Sequence, residues 1–342
     1  MGLSDYHAST GDWRNQLTRN EQKTRWIIAT FLAIYVAVGL IVDVFVLRSL
    51  YPDVPLDQCI RALLTLSVVP YATLIMLGIA GVSLLITYSM YDRIMLLGTD
   101  SHEITPETAQ NMQEKQLLNV VEEMKVAAGL QFMPKVFLIE ADYMNAFASG
   151  YSEKSAMVAI TRGLMNKLDR AELQAVMAHE LSHVRHHDIK VTLMVAVLSN
   201  ILLIIVDLLF YAVVFRRDDR RNDNPLFLVI IILRYVLPLI TVVLALFLSR
   251  TREFMADAGS VELIRDNEPM ARALIKISQD HEQHAEQYAK NYGQTPHEEV
   301  RQASYLFDPS TLDPVKSLNS AFSTHPSIEK RLDALGFKRK KP

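Results

Sequence analysis

Four stretches of the chain stay apolar for long enough to leave water. Trp26–Leu47 carries Asp43 as its single charged residue. As a helix rising ~1.5 Å per residue it would be ~33 Å long, enough to cross a ~30 Å hydrocarbon core. Leu63–Tyr88 follows, with Pro70, Gly78 and Gly81 inside it, residues that membrane helices tolerate. Val191–Phe215 carries Asn200 and Asp207, and Leu226–Leu248 carries Arg234 and Pro238. The first two runs predict transmembrane helices. The last two predict a helical hairpin that spans the membrane, re-enters it, or lies buried in a polar domain. Charge at bilayer depth costs ~2.5–3.5 kcal/mol on insertion scales, so Asp207 and Arg234 weigh against full insertion unless they pair within a bundle. The first run starts too far in, is too long and lacks a small-residue cleavage site, so a cleaved signal peptide is a poor reading of it.

The polar remainder falls into two blocks, 99–190 and 249–342, on either side of the hairpin at 191–248. An even number of crossings leaves both blocks on one face, where they form one domain. The expected organisation is therefore a cytoplasmic segment 1–25, two membrane helices in 26–88, and a domain made of 99–190 and 249–342. Arg14, Arg19, Lys23 and Arg25 precede the first run, against only Arg48 and Arg61 in the following loop. That asymmetry places the N-terminus in the cytoplasm. Arg93, Arg185, Lys190, Arg250 and Arg252 agree, whereas Arg216, Arg217, Arg220 and Arg221 would be external in a four-span arrangement.

Composition supports a membrane protein with a large polar part. Of 342 residues, 50% are hydrophobic and 21% charged, and the mean hydropathy is +0.13. With 35 Lys+Arg against 38 Asp+Glu there is no basic footprint, so no nucleic-acid partner is expected. Cys59 is the single cysteine, which excludes an intramolecular disulfide framework and a cysteine-based zinc site.

The chemistry concentrates in His179-Glu180-Leu181-Ser182-His183. Asp169 and Glu172 have capping-box spacing, so a helix is predicted from Arg170, with Leu173, Val176, Met177, Leu181 and Val184 at helical spacing. Histidines four apart share a helix face and can hold one zinc ion. Glu180, one step round, can reach a water on that metal as general base. A third ligand is needed if one position stays open. The class that takes it from a histidine six residues past the second one is excluded, because Ile189 stands there and His186 replaces the accompanying glycine. His186 and His187 read instead as a polar helix end. The remaining route is Glu253, with Asp257 one turn on, placed to hydrogen-bond a ligand histidine.

In this order the segments resemble the HtpX-type membrane zinc metalloproteases, relatives of the CAAX prenyl proteases. The resemblance rests on two hydrophobic segments, Asn145-Ala146-Phe147-Ala148, the zinc helix, a hydrophobic hairpin, Glu253 to Asp257, and Thr324-His325-Pro326 followed by Arg331. The polar stretch of about 25 residues before the first span is longer than the family leads one to expect. The implied fold is a multi-pass α-helical membrane protein with an α+β, mostly helical, gluzincin-like zincin domain carrying a small sheet. The implied activity is a zinc endopeptidase of the bacterial cytoplasmic (inner) membrane. Its active site would be cytoplasmic, and it would act in quality control and stress response on membrane or misfolded proteins. By position His179, His183 and Glu253 match the zinc ligands and Glu180 the catalytic base, while His325 and Arg331 would face the metal as donors to the substrate carbonyl or oxyanion. The alternative for His325 and Arg331 is a helix-capping histidine and a surface arginine, with the helix starting at Pro326.

Asn145 to Gly150 and Ala156 to Ile160 read as two extended segments around Ser152-Glu153-Lys154. They form either an exposed edge, where Asn145, Ala146 and Phe147 pair with an extended substrate, or an ordinary hairpin packed on the zinc helix. Asp280 to Lys290, including His281 and His284, reads as a solvated helix face. Two other functions stay open: a prenyl-protein protease, for which four spans look too few to enclose a chamber, and a metal-stabilised scaffold without catalysis, against which the intact Glu180 argues. The oligomeric state is not legible.

Overall fold

The computed structural model describes residues 2–8, 12–95, 99–150, 152–215, 225–285, 287–288, 306 and 325–340. The four-arginine loop, Thr324 and His297 lie outside them. The helices are α1 Trp13–Leu50, α2 Leu56–Leu64, α3 Tyr71–Met95, α4 Met112–Ala128, α5 Arg162–Lys167, α6 Arg170–Arg185, α7 Asp188–Val214, α8 Pro225–Ile264, α9 Glu268–Gln283 and α10 Ile328–Ala334. The strands are β1 Tyr6–Ala8, β2 Ser101–Ile104, β3 Lys135–Ile139, β4 Ala146–Ser149, β5 Met157–Thr161 and β6 Phe337–Arg339. The chain divides into two compact units, one of Arg25–Ser89 with Val191–Phe247, the other of Met1–Thr24, Met90–Lys190 and Leu248–Pro342.

In the first unit, Tyr35, Val38, Met76, Ala80, Leu198, Leu202, Val206 and Leu237 pack together, while Leu85, Leu208, Leu239 and Phe247 face outward. Among the described residues, α1, α7 and the Phe227–Ile264 part of α8 are long and apolar enough to cross a membrane, and Tyr71–Thr87 within α3 is a shorter apolar stretch. The second hydrophobic run does not form the single helix expected over Leu63–Tyr88. The chain breaks after Leu64, Leu66 takes a left-handed φ of 54°, and α3 begins after Pro70, which cannot donate to a preceding turn. Asp43 explains itself here. Its carboxylate accepts from Ala72 N (2.7 Å), Thr73 N (3.0 Å) and Thr73 Oγ1 (2.7 Å), satisfying orphan donors at the start of α3 from the neighbouring α1. Asp207 and Arg234 do pair, Nε to Oδ1 at 3.1 Å, with the guanidinium 3.8 Å above the Phe210 ring.

In the second unit a four-stranded sheet has the order β2-β3-β5-β4, with β3 and β5 parallel and the other pairs antiparallel. Leu117, Leu138, Ile160, Leu164, Val176 and Met177 are fully buried in its core. Each such side chain contributes roughly 1.5–3 kcal/mol through its removal from water. The polar N-terminal segment contributes to the second unit. Its β1 pairs antiparallel with β6 near the other end of the chain, Tyr6 opposite Arg339 and Ala8 opposite Phe337. The reading of Asp280 to Lys290 as solvated is corrected at His281, which is fully buried. Met270, Leu274 and Ile277 form the buried face of α9, and His281 continues it one turn on, its Nδ1 3.0 Å from the Ile277 carbonyl.

Candidate metal centre

The histidine helix forms where its cap demands. Glu172 N donates to Asp169 Oδ1 and Asp169 N to Glu172 Oε2, both at 2.9 Å, and α6 starts at Arg170 as expected. Its apolar side packs into the core, leaving His179 and His183 one turn apart on one face. The last turns of α8 lie against it at close range. A Cβ on Gly259 would stand 2.0 Å from Ser182 Oγ, so only glycine permits this approach, and Ser260 Oγ donates to the Ala175 carbonyl at 2.8 Å. Glu253 and Asp257, one turn apart on α8, are thereby carried to the histidines.

One ligand atom each from His179, His183 and Glu253 lie within 4.8 Å of one another. The two Nε2 atoms are 3.2 Å apart, with Glu253 oxygens 3.7 Å from His179 Nε2 and 3.6 Å from His183 Nε2. Behind the rings, His179 Nδ1 is 3.0 Å from Asp257 Oδ1 and His183 Nδ1 is 2.7 Å from Asp188 Oδ2. A carboxylate at Nδ1 holds the ring proton there, so each Nε2 turns a lone pair inward. Two imidazole lone pairs and a carboxylate thus converge with no proton between them, an arrangement that repels itself unless a cation sits among them. Two tetrahedral zinc ligands at ~2.0–2.1 Å would stand about 3.3 Å apart, close to the nitrogen separation seen here. The donor set fits the metal.

Burial pushes both imidazoles down to about 4, so both are neutral at pH 7, the form in which an imidazole can bind a metal. Burial first, and then the Glu253 charge, raises the Glu180 carboxyl well above the usual carboxylate range, the Ala148 amide giving weak relief. His325 Nδ1 and Arg331 Nη1 each lie 3.3 Å from Glu253 Oε2. The fork of Arg331 grips Asp257, and its Nη1 donates to the Leu306 carbonyl at 2.9 Å. Arg331 is thus a buried residue rather than a surface one. The helix expected from Pro326 starts two residues later, at Ile328 after the N-cap Ser327, so His325 precedes the cap instead of forming it.

Asn145, Ala146 and Phe147 are all buried. Asn145 shapes the entry to β4: its amide donates to Thr161 Oγ1 at 2.9 Å and its Oδ1 accepts from Ala146 N at 3.0 Å. β4 is both an outer strand and half of an antiparallel pair with β5. The Ala146 carbonyl points away from β5 and accepts from Leu306 N at 2.9 Å. Phe147 turns to the opposite face, packed with Tyr143 and Tyr288. Asp188 was not singled out from sequence. It follows His187, which takes a left-handed φ of 55°, and that turn swings the first residue of α7 back onto His183. An Asp five residues past the second histidine is the only trace it leaves in the sequence.

A profile described as peptidase family M48 matches residues 111–337. The chain belongs to peptidase family M48. It is similar to a protein named Protease HtpX homolog from Helicobacter pylori (strain Shi470), 38% identical over 320 residues, with 93% of this chain and 96% of that one covered. A protein of the same name from Streptococcus uberis (strain ATCC BAA-854 / 0140J) is 30% identical over 328 residues, covering 94% and 98%. The crystal structure of S. mikatae Ste24p aligns with a TM-score of 0.46 and 17% identity, covering 94% of this chain and 65% of that one. The HtpX-type resemblance and the expected fold class are borne out, and this M48 member is a metalloprotease of the membrane.

Proposed function

We propose that this M48 peptidase is a zinc endopeptidase that cleaves membrane or misfolded proteins at the cytoplasmic face of a bacterial inner membrane. Residues 99–190 and 249–342 would form its peptidase domain and 26–88 with 191–248 its membrane part. The observation that carries the reading is the convergence of His179 Nε2, His183 Nε2 and the Glu253 carboxylate, with both Nδ1 atoms turned to carboxylates. These three residues would hold the zinc, which when bound acidifies water and polarises a carbonyl.

The chain's own groups supply the rest. Glu180, buried on the helix that carries His179 and His183, would accept the proton of the attacking water at a carboxylate oxygen and return it to the leaving amine. The substrate lies extended along the outer side of β4, where the Ala146 carbonyl already receives one backbone amide. His325 and Arg331 stand beside Glu253 as donors to the substrate carbonyl, and Arg331 Nη1 holds a peptide carbonyl in this structure, that of Leu306.

The test compares purified wild type with Glu180→Gln on an unfolded model protein, with metal content measured. Wild type should cleave and the variant should keep stoichiometric zinc while losing several orders of magnitude in rate. Equal cleavage by both overturns the assignment of Glu180, and loss of zinc in the variant makes Glu180 a ligand.

A further inference from the structure

The two histidines of the centre are held from behind by matching arrangements. On one side Arg331 grips Asp257, and Asp257 faces His179 Nδ1 at 3.0 Å. On the other, Arg252 forms an ion pair with Asp188, and Asp188 faces His183 Nδ1 at 2.7 Å. Arg252 also donates to the His186 carbonyl at 2.8 Å, at the end of α6, tying down the turn between His183 and Asp188. Asp188 and Arg252 are each only 5% exposed. Charges so deeply removed from water are costly unless paired and hydrogen-bonded. From sequence, Arg252 counted only in the charge asymmetry and Asp188 not at all, and the mechanism above uses neither.

We propose that Asp188 is a positioning residue for the metal centre, fixing the tautomer and ring angle of His183, and that Arg252 fixes Asp188. With Asp188 accepting from Nδ1, the lone pair of His183 stays on Nε2, aimed at the point where His179 and Glu253 converge. Without that carboxylate the ring can carry its proton on Nε2 or rotate about its side-chain bonds, and either change removes one of three donors. Arg252 comes from the same helix as Glu253, the adjacent residue, so one short segment of α8 supplies both a donor and the brace of another donor. The inference rests on the reading of His179, His183 and Glu253 as metal ligands.

The experiment uses the full chain, purified in detergent and stripped of metal. Zinc is titrated against a chromophoric chelator, cobalt absorption spectra are recorded, and the thermal midpoint of the metal-free protein is followed. Asp188→Asn keeps the shape but not the charge and should weaken zinc about 10–100-fold, alter the cobalt spectrum and leave the metal-free midpoint close to wild type. Asp188→Glu should recover part of the affinity. Arg252→Gln, which keeps a donor, should weaken zinc less than Asp188→Asn and serves as the second variant should Asp188→Asn fold poorly. Wild-type affinity and an unchanged cobalt spectrum in the folded variants overturn the positioning role. Failure of wild type itself to bind one zinc overturns instead the metal assignment on which the inference stands.

Discussion

Arg331 holds Asp257 with two hydrogen bonds, Nε to Oδ2 at 2.8 Å and Nη2 to Oδ1 at 2.6 Å, with both residues 1% exposed. This fork separates the two arms of the substrate-donor expectation. His325→Ala removes a group near Glu253 without stranding a buried charge pair, so kcat should fall ~10²-fold with zinc content and thermal midpoint retained. Arg331→Ala leaves Asp257 and Glu253 without their shared cation, a loss of about 3–5 kcal/mol for a broken buried pair. It should lower the thermal midpoint and the zinc affinity together with kcat. Thermal scans and zinc titrations on the two variants check the contrast, and an Arg331→Ala protein as stable as wild type contradicts it.

Glu253→Ala should reduce zinc retention under a competing chelator far more than Asp257→Asn does. The first variant removes a converging oxygen, while the second removes only a brace behind His179 and should cost ~10–100-fold. Unchanged zinc content in Glu253→Ala would move the third ligand elsewhere.

Gly259→Ala should disrupt the centre although Gly259 touches no ligand. Its Cβ would meet Ser182 Oγ at 2.0 Å and Ser182 Cβ at 2.9 Å, so α8 must move away from α6 and take Glu253 with it. Overpacking of this kind costs about 1–3 kcal/mol. Adding Ser182→Gly should recover most of the loss in thermal midpoint and in zinc affinity, a coupling that a double-mutant cycle measures. Simple additivity of the two changes argues against the close contact.

Cysteines introduced at Asn222 and Ser320, with Cys59 replaced, report which side of the membrane each position faces; both positions lie outside the described residues. A four-span arrangement requires Asn222 to react from outside and Ser320 from the cytoplasm. Labelling of both only from the cytoplasmic side would make 191–248 a re-entrant or buried hairpin, in line with the four arginines at 216–221.

Interactions close along the chain were legible from sequence alone. The capping box of Asp169 and Glu172 set the start of α6, and the four-residue spacing of His179 and His183 set their common face, because both follow from helical geometry. The hydrophobic runs announced α1, α7 and α8 through length and composition. Local rules failed where a distant group overrides them. Asp43 was only a lone charge in an apolar run until the start of α3 supplied three donors, and His281 looked solvated until α9 turned it inward. The N-terminal strand, the left-handed His187 that returns Asp188 to His183, and the fork of Arg331 on Asp257 join residues far apart in sequence or across a turn with no sequence signature. The sequence alone determined which residues could bind a metal, through their chemistry and local spacing. Only tertiary structure decided which carboxylate stands behind each imidazole, because pairing across elements depends on how closely α6, α7 and α8 pack, and that packing turns on single positions such as Gly259.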